Sequence, residues 1–310
     1  MAARGLREAE RAASPSALVL ACAVAAILAA PPPPAHADDL IGEMRTRVAV
    51  AADTLIDIAV EEGVGILELM EANPGIDPWL PEPGRTIVVP TRRVLPRAPR
   101  AGIVINLAEY RLYWFPPKGE PRTFPVGIGT EEAGIPRGAS RIVRKRPNPV
   151  WTPPPSVRAE TPDLPASVPP GPDNPLGAFA LDTGWPLVAI HGTNKPYGVG
   201  RRVSHGCFRL YPAHIAALFP EVAVGTPVAV VDEPVKFGWA EGELWVEVHD
   251  TADADLARRP ALGEIVGAAL DAAGPDWDRL SWPLLLAAVQ RADGLPARVT
   301  VPAGEVAAPG

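Results

Sequence analysis

A mainly β, α+β fold is predicted, and three observations predict it. From residue 101 to residue 249 short apolar runs recur, each bounded by Gly, Pro, Asn or Asp. The 40 prolines among 310 residues work against long helices in the middle of the chain. Apolar residues at helical spacing are confined to residues 53–75, one stretch after Cys207, and the region beyond residue 250. Hydrophobic content of 47% and charged content of 21% supply a core for two or three domains. A net charge of −7 argues against a general nucleic-acid role.

The first segment reads as an address. Arg4, Arg7 and Arg11 precede an apolar run at 17–30, and "AHA" at 35–37 fits the small-x-small rule for signal cleavage. The run is shorter than the roughly 20 apolar residues a membrane span needs. Residues 1–37 are therefore expected to be a signal peptide, with an uncleaved anchor as the competing reading. The protein is expected outside the cytoplasmic membrane, in the periplasm and associated with the cell wall. Cys22 would leave with the signal, so Cys207 would stand alone where most cysteines pair. Such a thiol is dimer-forming, buried and inert, or kept for reactivity.

Residues 38–100 read as a small unit and a linker. Leu55, Ile58 and Ala59 mark a helix that Asp53 is placed to cap. "GILELMEANPG" (65–75) gives a second helix stopped by Asn73-Pro74-Gly75, and "RTIVVP" (85–90) a strand closed by proline. The order strand, helix, helix, strand, with "DTL", "NPG" and "IVVP", resembles a LysM carbohydrate-binding module. That resemblance implies glycan binding. "TRRVLPRAPR" (91–100) reads as a basic linker.

Strands follow in order. "GIVINLAEYRLYWF" (102–115) holds two, joined near Ala108-Glu109; "TFPVGIGT", "SRIVRKR", "AFALDT" and "PLVAIHG" supply more. "PVAVV" (227–231) is another; a turn and then the alternating "ELWVEVH" (243–249) come after it. Only "YPAHIAALF" (211–219) reads as helix here. Residues 146–177 carry eleven prolines in 32 residues. A connection that long is a lid, a binding loop or disorder, and Trp151 favours an ordered loop over the site. Residues 233–310 read as a β and helical packing extension, with "ARVTVP" a final strand.

The chemistry concentrates in "HGTNKPYGVGRRVSHGCFRL" (191–210). A strand ending at His191 would set the imidazole at a sheet rim. Cys207 follows a glycine and precedes the 211–219 helix, whose N-terminus would stabilise a thiolate. Free backbone N–H groups there could bind an oxyanion. His205, two residues from Cys207, would share its face in extended backbone. A buried inert cysteine fits poorly in a Gly-rich polar loop. A zinc site from His191, His205 and Cys207 lacks a fourth ligand. For His205 a loop-shaping role competes with catalysis. His214 and His249 read as structural. Arg201, Arg202 and Arg209 are a solvated face or a carboxylate clamp.

"IHGTN" followed by "GVGRRVSHGCFRL" resembles the signature of bacterial L,D-transpeptidases of the ErfK/YbiS/YkuD type, in which a histidine lies upstream of a Ser/Thr-His/Lys-Gly-Cys core. The resemblance runs over 101–232. Many members carry Asn two residues after the cysteine; this chain has Arg209, as one large subgroup does. It implies a β-sandwich-like catalytic domain, with Cys207 the nucleophile and His191 the base. Because His191 ends an apolar strand and can be aimed, its imidazolium is expected to set the thiol's pKa by lowering it. Ser204, His205, Gly206 and Arg209 would bind substrate or oxyanion. The implied reaction is acyl transfer from a peptidoglycan tetrapeptide stem, releasing D-alanine, to an amine on a second stem or on an outer-membrane lipoprotein lysine. No metal or organic cofactor is implied. A hydrolytic L,D-carboxypeptidase and a non-catalytic wall-binding protein are the alternatives.

Overall fold

The protein is described here from a computed structural model, over residues 38–130, 134–250, 256 and 258–301. The expected signal peptide, with Cys22, lies outside the described residues. Among the described residues no helix is long and apolar enough to cross a membrane.

The centre is an eight-stranded mixed sheet. Its strands are β5 (Gly102–Asn106), β6 (Arg111–Phe115), β7 (Arg122–Pro125), β9 (Gly138–Pro147), β10 (Phe179–Thr183), β11 (Ala189–His191), β13 (Phe208–Arg209) and β14 (Pro227–Val231). Their spatial order is β13-β11-β10-β9-β14-β5-β6-β7. Tyr110, with φ of 51°, makes the tight turn between β5 and β6. The sheet curls until its edges meet: past β7, Gly127 and Arg209 exchange two backbone hydrogen bonds of 2.8 Å. Two short strands, β8 (Ile128–Gly129) and β12 (Arg202–Ser204), pair beside this seam. Gly127 is required there, because a Cβ would lie 2.5 Å from the Gly198 carbonyl oxygen.

The curled sheet encloses the main core. Ile103, Ile105, Leu112, Trp114, Leu181, Ile190, Phe208 and Val228 fill it, with Ile215 and Leu218 from the helix Pro212–Leu218. The opposite face is used twice. Over β5 and β6, Leu95 and Ala98 cover Val104, Tyr113 and Phe115. Over β9, β10, β11 and β13 it carries Arg144, Arg146, Asp182, His191 and Arg209.

The 44–90 unit has the expected order of elements. β2 (Met44–Val48) pairs antiparallel with β3 (Thr86–Pro90), and α1 (Leu55–Glu62) and α2 (Ile66–Glu71) lie between them in sequence. Leu55, Ile58, Leu69, Ile87 and Val89 are its core. Thr54, not Asp53, caps α1 by accepting from the Asp57 N–H at 3.0 Å; Asp53 instead accepts from the Val50 N–H and pairs with Arg47. Residues 91–100 differ from the linker expected. They hold β4 (Arg93–Val94), paired with β1 (Leu40–Ile41), and Arg93, Val94 and Leu95 are buried.

After β14, the stretch expected as a turn is a strand, β15 (Val235–Ala240), paired along its whole length with β16 (Glu243–Val248). Helices Leu262–Ala273 and Trp282–Arg291 pack on this hairpin through Ile265, Ala269, Leu285 and Val289. The final strand is short, Ala297–Arg298.

A buried charged cluster ties the three segments together. Lys236 Nζ donates to Glu109 at 2.8 Å, the Tyr113 hydroxyl at 2.9 Å and the Val94 carbonyl at 2.8 Å, and sits 3.0 Å from Glu247. His249 Nε2 donates to Glu247 at 2.8 Å. Glu68 pairs with both Arg93 and Arg111. Four cations (Arg93, Arg111, Lys236, His249) face the carboxylates of Glu68, Glu109 and Glu247 and the part-exposed Glu71, so each of these buried charges has an opposite partner. The described residues from Asp38 onward belong to one compact unit.

Candidate active site

Strand register builds the site. β10 pairs with β11 so that Ala180 faces His191 and Asp182 faces Ala189. β11 runs parallel to β13, with Ile190 opposite Phe208 and His191 opposite Arg209. Side chains alternate along a strand. With Leu181, Ile190 and Phe208 in the core, Ala180, Asp182, Ala189, His191, Cys207 and Arg209 share the other face. Cys207 sits next to Ala189, whose N–H contacts its sulfur, and the thiol donates to the Leu187 carbonyl at 3.4 Å.

β9 joins this face through a bulge. Thr183 opposes Ile142 and Asp182 opposes Arg144, which leaves Val143 as an extra residue. Ile142 therefore points into the core, while Arg144 and Arg146 turn onto the site face. Asp182 accepts from Arg144 Nε at 2.6 Å and from Arg146 Nη2 at 2.7 Å. Burial alone would raise its carboxyl, but the two guanidiniums hold it below the usual carboxylate range.

His191 is buried, and its Nδ1–H donates to the Gly192 carbonyl at 2.5 Å. That bond fixes the tautomer with Nε2 unprotonated, the form a general base needs. Burial, aided by Arg209 and Arg146, holds the imidazole down to about 4. Burial also pushes the Cys207 thiol up, with the Ala189 N–H and Arg209 partly offsetting it. The resting pair is thus neutral imidazole and neutral thiol. The thiol lies above the ordinary range, not below it as an adjacent imidazolium would place it, because desolvation outweighs the Ala189 N–H and Arg209. Nor is Cys207 at a helix N-terminus: β13 separates it along the chain from the helix that begins at Pro212.

The other expected residues fall in different places. The Ser204 hydroxyl is buried and donates to the Cys207 carbonyl at 2.5 Å, which shapes the turn. Gly206 has φ of 102° and packs against Gly129, where a Cβ would meet the Gly206 Cα at 3.0 Å. Residues 205 and 206 form a bend, so the extended backbone expected between His205 and Cys207 is not present. His205 is exposed on the rim, its Nε2 3.0 Å from Glu160. No described residue accepts from the backbone N–H of Gly206 or Cys207. Arg209 is half-buried beside Cys207, its buried Nε without a partner among the described residues.

Cys207 lies between two cavities. One, about 750 Å³, is lined by Arg144, Arg146, Asp182, Trp185 and Leu187. The other, about 420 Å³, is lined by His191, Lys195, Ser204, His205 and Arg209. Trp151, Pro154 and Leu176, from the proline-rich segment, border both. That segment is ordered: Trp151 and Val168 exchange backbone hydrogen bonds, a helix unforeseen in the sequence spans Pro155–Glu160, and buried Asn174 donates to the carbonyls of Pro149, Val168 and Pro169. Arg144, Arg146 and Asp182 were missed in the sequence. Their only trace is an Arg-x-Arg pair in a strand that should alternate.

Glu109, Glu247 and His249 are close enough to hold a cation. Lys236 Nζ already occupies the space among them, and its ammonium supplies the positive charge a metal would bring. His214, left as structural, packs between Phe124 and Tyr211.

Residues 100–230 match the family described as YkuD, L,D-transpeptidase catalytic domain. The chain is similar to the probable L,D-transpeptidase ErfK/SrfK of Escherichia coli (strain K12), 42% identical over 228 residues, covering 71% of this chain and 73% of that protein. It is 41% identical over 244 residues to the probable L,D-transpeptidase YcfS of the same organism, covering 75% and 76%. Among solved structures, an L,D-transpeptidase from Mycobacterium smegmatis is 22% identical, covers 47% of this chain and 63% of its own, and has a TM-score of 0.32.

Proposed function

The chain belongs to the L,D-transpeptidase family, and on that premise we propose that Cys207 and His191 carry out acyl transfer on peptidoglycan stem peptides. One observation carries the assignment of residues: a half-buried thiol and a tautomer-fixed neutral imidazole share one sheet face, with a cavity on each side of the thiol.

The chemistry follows from the charges. His191 Nε2 takes the thiol proton as Sγ attacks the carbonyl of the third stem residue, so the thiolate forms only as it is consumed. The carbonyl oxygen becomes an oxyanion beside the Arg209 guanidinium and the N–H groups of Gly206 and Cys207, which have no acceptor among the described residues. Collapse breaks the peptide bond, and the departing D-alanine amine takes the proton from His191. The product is a thioester on Cys207. An acceptor amine then gives a proton to Nε2 and attacks the thioester, forming an amide, and the sulfur leaves and is reprotonated. A second stem, or a lipoprotein lysine, would supply that amine. Two cavities meeting at one sulfur suit a donor and an acceptor arriving from different sides.

The same reading sets the protein outside the cytoplasmic membrane, supported by the basic, apolar and small-residue sequence of 1–37. Exposed Trp79 and Leu80 on the 44–90 unit suit stacking on a glycan. Intact mass of the protein after incubation with a tetrapeptide stem tests the assignment. A thioester adduct is expected on the wild type and none on Cys207→Ala, whose fold should persist. With an added amine, the product mass separates transfer from hydrolysis. Turnover by Cys207→Ala would remove the nucleophile assignment.

A further inference from the structure

The larger cavity beside Cys207 contains charges that the acyl-transfer steps do not use. Arg144 and Arg146 are two residues apart on β9 and reach the site face only because of the bulge at Val143. Asp182, opposite Arg144 on the next strand, holds both guanidiniums. Two cations on one carboxylate leave one net positive charge in the cavity wall. Asp182 takes Nε of Arg144, and Nε and Nη2 of Arg146. Among the described residues the two Nη groups of Arg144 have no partner. They form a planar fork, suited to a second carboxylate. Trp151, Trp185 and Leu187 frame the same space.

A cross-strand ion pair serving only the sheet would need one arginine for one aspartate. It would not need a bulge to lift both arginines out of the core side. Nor would it need to border the reactive thiol. Strands lie about 4.8 Å apart, so the Asp182 backbone is roughly 10 Å from that of Cys207 and the Arg144 backbone roughly 14 Å. Arg144 and Arg146 side chains shorten that gap. One or two residues of extended peptide, or one long side chain, cover it.

We propose that Arg144 and Arg146, aimed by Asp182, form a carboxylate-binding subsite that anchors a carboxylate-bearing arm of the stem peptide while its reacting group lies at Cys207. The proposal rests on the acyl-transfer reading above. The carboxylate has two sources: the side chain of the donor's third residue, when that residue is a diamino dicarboxylic acid, or the carbon next to the attacking amine of the acceptor. Either way the subsite discriminates against ligands in which that carboxylate is an amide.

Two measurements test it. The first is binding by calorimetry to Cys207→Ala, which needs no turnover. Stem tetrapeptide with a free third-residue carboxylate should bind about 10-fold or more tighter than its carboxamide, the range lost with one charge-assisted contact. Arg144→Gln should erase that ratio while the Arg146–Asp182 pair stays intact, and Arg144→Lys should restore part of it. Lys118→Gln, which removes the same charge from the exposed turn after β6, should keep it. The second measurement follows thioester formation and its resolution separately by mass, with acceptors whose amine neighbours a carboxylate or a carboxamide. Selectivity in formation assigns the anchor to the donor, and selectivity in resolution assigns it to the acceptor. Equal treatment of acid and amide in both binding and transfer overturns the subsite, as does full selectivity retained in Arg144→Gln. If selective binding is found but Cys207 never forms a thioester, the subsite stands and the acyl-transfer reading falls.

Discussion

At the scale of residues, the reacting pair itself stores no charge separation. Cys207 and His191 are both neutral at rest because both are desolvated, and the pH dependence follows. Transfer needs neutral His191, so the rate should hold from neutral pH down to about pH 5 and fall as the imidazole protonates near 4. A pH–rate profile of single-turnover thioester formation checks this. An acid limb near pH 6.5 would mean that the imidazole is not buried as described. Alkylation of Cys207 should rise only at alkaline pH, above the range of an ordinary thiol. In His191→Ala water enters, the desolvation eases and the alkylation profile should move down towards the ordinary thiol value of about 8.5. Transfer should fall by ~10²-fold or more as the base is lost. An upward shift of the alkylation profile in this variant would mean that a charged imidazole had been stabilising the thiolate.

At the scale of elements, the proline-rich roof hangs on Asn174. Its side chain gathers three carbonyls, and its Oδ1 accepts from the Leu176 N–H at 2.9 Å. Asn174→Ala should cost about 1–3 kcal/mol, because buried acceptors lose their donor. It should raise KM more than it lowers kcat, with Cys207 alkylation preserved; chemical denaturation and steady-state kinetics read these. An unchanged KM would make the segment a spacer. Much of this region was legible in the sequence. Length, prolines and Trp151 marked a cover, and the run ending at His191 marked a strand. What stayed hidden has physical causes. β15 is buried along almost its whole length, so "VKFGWA" has no alternation to read, and its lysine looks like a surface residue until Glu109 and Glu247 are seen around it. Residues 91–100 looked like a linker because arginines and prolines are usually exposed; Arg93 is buried because Glu68, distant in sequence, comes to meet it. The bulge that lifts Arg144 onto the site face follows from pairing with β10, and no local pattern announces it.

At the scale of the whole molecule, the charged cluster makes one body of three segments. Lys236→Ala should cost about 3–5 kcal/mol, the penalty of leaving buried carboxylates unpaired. Denaturant unfolding measures it, and a loss under 1 kcal/mol would mean that water reaches Glu109 and Glu247. Burial opposes a charge on His249, but Glu247, with Glu71 and Glu109, raises it to about 9. A raised pKa stabilises fully below the unfolded value of about 6.5 and is lost as pH climbs through 9. The unfolding midpoint should therefore decline between pH 7 and 10, and His249→Gln should flatten that decline; a slope unchanged in the variant would place its origin elsewhere. The seam of the sheet has a different consequence. Its two hydrogen bonds use only the backbone of Arg209, while the Arg209 side chain lies beside Cys207. Nothing in the closure depends on that side chain: lineages could exchange it, and with it the charge next to the sulfur, without breaking the two bonds that join the edges of the sheet. Across the seam Gly127 is frozen, since a single methyl group would strike the Gly198 carbonyl. Evolutionary novelty at this closure can enter from one side only.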